Sequence, residues 1–246
     1  MAQAVLFFFV ALLYASVGFG GGSGYIAILS FTDLEPSQLR FMALCCNIVV
    51  VTGGTWLYIR TKIFNLRKIL PFVATSVPAA LIGGAFQLSN QHFFLLLAVV
   101  LLVAGALMLL QLRRTNQSNL SPGPINLVWN LTLGGAIGLI SGLVGIGGGI
   151  FLAPVLHLLR WDKPKVISAT ASFFILVNSI SGLVGQISFN QINVQWSLLV
   201  PLLIAVLIGG QIGSRLTVSW LSQRLVKALT AILVIFASIR MIYVTL

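Results

Sequence analysis

Twice in this chain a glycine, one apolar residue and three glycines interrupt a strongly apolar segment: Gly18-Phe19-Gly20-Gly21-Gly22 and Gly145-Ile146-Gly147-Gly148-Gly149. Consecutive glycines disfavour a helix interior, so each copy predicts a break within a segment that otherwise reads as helix. Gly20 and Gly147 are 127 positions apart in a chain of 246 residues, which predicts two related halves. Other landmarks keep that register. Pro36 and Pro164 are 128 apart, and Ile82-Gly83-Gly84 returns 126 residues later as Ile208-Gly209-Gly210. Close helix packing accounts for small residues one at a time, but not for a shared offset.

The solvent these breaks must live in follows from composition. Hydrophobic residues make up 59% and charged residues 7%, with a mean hydropathy of +1.08; a soluble domain carries about a quarter charged residues. Apolar runs near the ~20 residues that cross a bilayer occupy 37–60, 66–87, 91–112, 165–187, 196–217 and 224–245. The glycine-broken segments are 2–32 and 126–160, and a polar linker, 113–125, divides the halves. Short alternating segments of a lipid-spanning barrel do not occur. The first segment lacks a basic leader and reads as structural rather than as a cleaved signal peptide. The expected fold is an all-α polytopic membrane protein of two inverted repeats, 1–112 and 126–246. Each repeat is a glycine-broken segment, re-entrant or fully crossing, plus three transmembrane helices.

Loop charges favour re-entry. The net charge is +11, but the basic residues lie in loops and at helix ends, as topology determinants do, which argues against a nucleic-acid partner. If all eight segments cross, the fourteen Lys and Arg divide seven against seven. If both broken segments enter and leave on one side, from opposite faces, Arg60, Lys62, Arg67, Lys68, Arg113, Arg114, Arg160, Lys163, Lys165, Arg215, Arg224 and Lys227 all lie inside. Only Arg40 and Arg240 remain outside. Length agrees: the 35 residues of 126–160 would span about 52 Å as one helix, against a hydrocarbon core of about 30 Å. Its first arm, 126–144, is long for a half-crossing. Trp56, Tyr58, Trp129, Trp161, Trp196 and Trp220 lie near segment ends, where amphipathic rings anchor at the interface.

A helix broken at membrane depth presents the N–H groups of the following half-helix, and those ends attract anions. Glycine removes the Cβ that would keep a substrate away. Gly20, Gly21, Gly22, Gly147, Gly148 and Gly149 are therefore candidate substrate-binding positions. Neutral side chains inside the apolar runs complete the set: Ser16 and Ser141 before the glycines, Asn47 in 37–60, and Thr170, Ser172 and Asn178 in 165–187. Interhelical hydrogen bonding is the plainer role for each Ser and Thr; for Asn47 and Asn178, larger and costlier in lipid, the two roles weigh equally. The three acidic residues, Asp33, Glu35 and Asp162, all sit near segment ends. No carboxylate relay, acidic metal cage or buried counter-charge for a cation is therefore expected, and the pattern favours an anionic substrate. His157 reads as structural, His92 as an outer-loop residue, and Arg40 as an outer cation that attracts anions or snorkels. No cofactor motif is present, and neither glycine copy continues into a phosphate loop.

These residues resemble the sulfite exporter TauE/SafE family of membrane transporters. The resemblance rests on both glycine motifs, the second continuing as Ile150-Phe151-Leu152-Ala153-Pro154, on Ala169-Thr170-Ala171-Ser172, and on the Gly-Gly pairs at 83–84 and 209–210. It covers essentially the whole chain; Ala27 replaces the proline of the second copy. The resemblance implies a secondary transporter, an exporter of sulfite- or organosulfonate-like anions, in the cytoplasmic membrane of a prokaryote. Its expected partners are the bilayer, the anion and a coupling ion, H+ or Na+. Two rivals remain: a membrane scaffold without transport, and a thiol-redox protein using the adjacent Cys45 and Cys46.

Overall fold

The computed structural model describes residues 2–16, 18–32, 34–63, 65–113, 126–215 and 223–245; most of the 113–125 linker and Trp220 lie outside them. The described residues form ten α-helices and no strand. In the first half they are α1 (Ala2–Ser16), α2 (Gly22–Leu29), α3 (Pro36–Arg60), α4 (Leu66–Ala85) and α5 (Asn90–Arg113). In the second they are α6 (Leu127–Val144), α7 (Gly149–Leu158), α8 (Pro164–Phe189), α9 (Trp196–Arg215) and α10 (Gln223–Thr245). The expected segments are all present, and both glycine copies divide theirs in two. Helices α3, α4, α5, α6, α8 and α9 are long and apolar enough to cross a membrane, which makes this an all-α polytopic membrane protein.

Local chemistry sets the helix starts. Glu35 caps α3 and Gln38 answers its backbone N–H at 3.3 Å, a capping box with Pro36 in the first turn. Pro164 opens α8 in the same way. Asn126 Oδ1 accepts from the N–H groups of Val128 and Trp129 to start α6. Pro71, Pro78, Pro154 and Pro201 lie inside helices, where neighbouring helices in a membrane bundle tolerate them.

Packing registers give the helix directions. Gly134, Gly138 and Gly142, four residues apart along α6, lie directly against the backbone of Phe72, Ser76 and Ala80, so α4 and α6 run parallel. Helix α8 runs parallel to α4, through Asn178 to Ser76 and Gly185 to Leu81. It runs antiparallel to α3, through Gln186 to Ser37 and Ser172 to Thr55. Gly209 and Gly213 of α9 pack on Phe8 and Leu12 of α1, again parallel. One end of the bundle thus collects Arg60, Lys62, Arg67, Lys68, Arg160, Lys163, Lys165 and Arg215. This is called the basic end below, and the other the neutral end.

Each broken segment doubles back. In the first, Phe7 stacks on Tyr25 with ring centroids 4.7 Å apart, and Tyr14 Oη lies 3.2 Å from Ser23 Oγ. Helix α2 therefore returns along α1 toward the neutral end. In the second, Asn126, Trp129 and Asn130 at the start of α6 share a cavity of about 130 Å³ with Leu156, Leu159 and Trp161 at the end of α7. Helix α7 thus returns to the basic end, where α6 began. The first arms reach far across: Gly18 packs on Ser168, one turn into α8, and Gly145 packs on Arg40, one turn into α3.

The packing repeats when the halves are exchanged. Helix α4 lies on α6 as α9 lies on α1, α4 meets α8 as α9 meets α3, and α3·α8 and α5·α10 each map onto themselves. Residue pairs follow suit. Gly18 against Ser168 matches Gly145 against Arg40, and Ser172 against Gly54 matches Leu44 against Gly182. Trp56, Trp129 and Trp196 are exposed near helix ends, as expected of anchors. Trp161 is not: it is buried, edge-on to Phe72 at 5.7 Å, because the returning α7 delivers it beneath α4 instead of to the interface.

Candidate functional site

Left-handed glycines shape the breaks. Gly18 and Gly21 in the first, and Gly145, Gly147 and Gly148 in the second, have φ between 79° and 94°, a region other residues enter at a cost. Gly145 ends α6, Gly21 and Gly148 cap α2 and α7, and the new helices start at Gly22 and Gly149. Neither cap has a side-chain hydrogen bond. Around the second break, backbone donation to Gly148 O resumes only with Phe151 and Leu152, so the preceding N–H groups form the unpaired first turn of a helix.

The two breaks meet at Asn47, the twelfth residue of α3. Its Nδ2 donates to Ile146 O at 2.9 Å. A methyl built on Gly20 would lie 2.6 Å from Asn47 Oδ1, and one on Gly22 would lie 2.5 Å from Nδ2 and 2.6 Å from Ile146 O. On Gly147 it would meet Ser179 Oγ at 2.8 Å, Asn47 Nδ2 at 2.9 Å and Ile175 Cγ2 at 2.9 Å. Glycine is required here by close approach, since any side chain would wedge the halves apart. Asn47, Ser141 and Ser179 are fully buried, and Asn47 Oδ1, Ser141 Oγ and Ser179 Oγ have no partner among the described residues. Such orphans are costly in a low-dielectric interior.

The expected site residues fall into three groups. Gly20, Gly21, Gly22, Gly147, Gly148, Gly149 and Asn47 form the junction, and Ser141 borders it, its Cβ 3.3 Å from the methyl position of Gly148. Thr170 is buried with its Oγ1 unpartnered, one residue before Ala171, whose carbonyl lies 3.5 Å from the methyl position of Gly149. The others are engaged elsewhere. Ser16 Oγ donates to Leu13 O in its own helix at 2.7 Å, Ser172 Oγ pairs with Thr55 Oγ1 at 3.2 Å, and Asn178 Nδ2 donates to Ser76 Oγ and Phe174 O. Asn178 Oδ1, like Asn47 Oδ1, has no partner among the described residues, but its Nδ2 is held by α4 and by its own helix. The duplication offset of 128 maps Asn47 onto Ile175, which packs on Gly20, Gly147 and Gly149. Ile175 and Ser179 were not among the expected site residues, and applying that offset would have found the first of them.

Arg40 corrects a second expectation. It neither snorkels nor faces water: it is 3% exposed. Its Nη1 donates to Phe86 O at 2.9 Å, and its Nη2 reaches Gly83 O, Gly84 O and Gly142 O at 2.8–3.1 Å. Those carbonyls end α4 and α6, where a cation is favoured, and the guanidinium ties both halves together beside the second break. At the basic end the one ion pair among the described residues, Lys68 Nζ to Asp162 Oδ2 at 2.5 Å, joins α4 to the loop after α7. His157 is buried in α7 and His92 Nδ1 lies 2.6 Å from Ser89 Oγ. Cys45 and Cys46 are free thiols, Cys46 buried in the core and Cys45 half-buried against it. No cluster that could hold a metal occurs among the described residues.

Comparison with known proteins gives the family. The model of the sulfite exporter TauE/SafE family matches residues 3–241. The chain is 31% identical over 242 residues to "Probable membrane transporter protein y4hK" of Sinorhizobium fredii, covering 98% of this chain and 97% of that one. It is 24% identical over 244 residues to "Probable membrane transporter protein YunE" of Bacillus subtilis, covering 89% of each. No solved structure matches significantly. Both relatives are bacterial, and a multi-pass chain of this kind resides in a prokaryotic cytoplasmic (inner) membrane. With its match over nearly the full length, its two glycine breaks and its bundle of apolar helices, the chain belongs to the sulfite exporter TauE/SafE family.

Proposed function

We propose that this membrane transporter is a secondary exporter of a small oxyanion, sulfite- or organosulfonate-like, working by alternating access between two inverted repeats. One observation carries the reading: two half-helix N-termini, at Gly22 and Gly149, converge on one buried junction built by both halves. Helix N-termini stabilise negative charge, and a site at the interface of repeats is where rocking exposes it to each side in turn. The inversion is supported by the helix registers, which bring the first broken segment in from the neutral end and the second from the basic end. By the positive-inside rule the basic end faces the cytoplasm. Ser141, Ser179 and the N–H groups of the second break supply donors to the anion; Asn47 closes the site from the first half.

The test is flux through proteoliposomes with sulfite, thiosulfate, sulfonates and carboxylates, each with and without an imposed H+ or Na+ gradient to identify the coupling ion. Sulfur oxyanions move faster than carboxylates. Asn47→Leu lowers that flux at unchanged membrane abundance, whereas Asn178→Leu mainly lowers stability through the lost contacts to α4. Absence of flux, together with absence of thermal stabilisation by every anion, would leave the scaffold reading in its place.

A further inference from the structure

Asn47 has only one way to face the junction. Ile146 O can accept but not donate, so the amide must turn Nδ2 toward it, at 2.9 Å. Oδ1 is then directed at Gly20, 2.6 Å from that residue's methyl position, fully enclosed and accepting from no donor among the described residues. The other side-chain groups with no partner at the junction, the hydroxyls of Ser141 and Ser179, can donate, as can the N–H groups of the glycine turns. The site thus offers many donors and one side chain that must accept. Residue 175, at the matching position of the other half, is isoleucine, so that position supplies no second amide acceptor. A metal cation would also satisfy Oδ1, but two helix N-termini meet here and oppose positive charge.

We propose that Asn47 is a specificity-determining residue whose Oδ1 accepts a hydrogen bond from the transported ion. The site then selects oxyanions that carry their own donor, a hydroxyl, a protonated oxygen or an ammonium group, over donor-free anions of equal charge. This rests on the anion-transport reading above. A site that holds a hydrogen-bonding group rejects the analogue lacking it far more sharply than an apolar pocket rejects a change of size.

Isethionate and ethanesulfonate have the same charge and carbon chain and differ by one hydroxyl. Wild-type protein in proteoliposomes transports isethionate at least about tenfold faster at limiting concentration. Asn47→Ile, which copies Ile175, brings the two rates together; because the readout is a ratio, reduced abundance of the variant does not obscure it. The wild-type ratio tests the idea even if that variant fails to fold. Equal wild-type rates overturn the acceptor role and leave anion transport standing. No flux of either sulfonate or of hydrogen sulfite overturns the transport reading and this inference with it. Thermal stabilisation by sodium chloride over choline chloride, with no response to any anion, overturns it in favour of a cation.

Discussion

Gly22→Ala inserts a methyl where the two breaks meet. Gly22 is helical with ordinary φ, so backbone strain plays no part and the effect is contact alone. The new carbon would lie 2.5 Å from Asn47 Nδ2 and 2.6 Å from Ile146 O, against an ordinary contact of about 3.5 Å. The halves must part by roughly 1 Å, or Asn47 must release Ile146. Overpacking of that size costs about 1–3 kcal/mol, and a lost interhelical hydrogen bond in a membrane bundle adds about 0.6 kcal/mol. Alanine's helix preference returns up to about 1 kcal/mol, leaving a net loss of about 0.6–3.6 kcal/mol. Controls come from glycines with room: methyls on Gly135 or Gly182 meet nothing closer than 3.6 Å, so Gly135→Ala and Gly182→Ala should be neutral or stabilising. Thermal unfolding in detergent, followed by tryptophan fluorescence, separates the three. Gly22→Ala matching wild type in stability and flux, or matching its controls, would refute the assignment of this contact.

Other perturbations read other parts of the fold. Arg40→Met strips the donors from four carbonyls at two helix ends and should cost about 1–3 kcal/mol in thermal unfolding, with Arg40→Lys intermediate because an ammonium lacks the planar fork. Asp162→Asn breaks an ion pair whose lysine is partly exposed, so the loss should stay below about 1 kcal/mol. Single cysteines at positions 117 and 163 should react with an impermeant thiol reagent from one side of the membrane, and a cysteine replacing the exposed Ser89 from the other.

Helices and breaks were legible because their signals are local: hydropathy marks the spans, and consecutive glycines between them mark the breaks. Pro36 and Pro164 even marked the first turns of α3 and α8. The junction was half legible. Its glycines and Asn47 stand out as rare types in apolar surroundings, but which polar residue of α8 faces them depends on helix rotation. Ser172, Asn178 and Ser179 lie on different sides of that helix, toward α3, α4 and the second break. Burial of Arg40 was not legible at all. It depends on Gly83, Gly84, Phe86 and Gly142 arriving from two other helices, and charge counting treats every basic residue near a span end alike.

Those acceptors carry a consequence for how the chain is made. They lie 43 to 46 and 102 residues beyond Arg40, so during synthesis α3 enters the bilayer before any of its guanidinium's acceptors exist. Arg40 is the fifth residue of its helix, close enough to the interface for its side chain to reach water in the interim. Withdrawal into the protein therefore follows the insertion of α6, and the last hydrogen bond, to Gly142, completes the seam between the first-made and last-made halves.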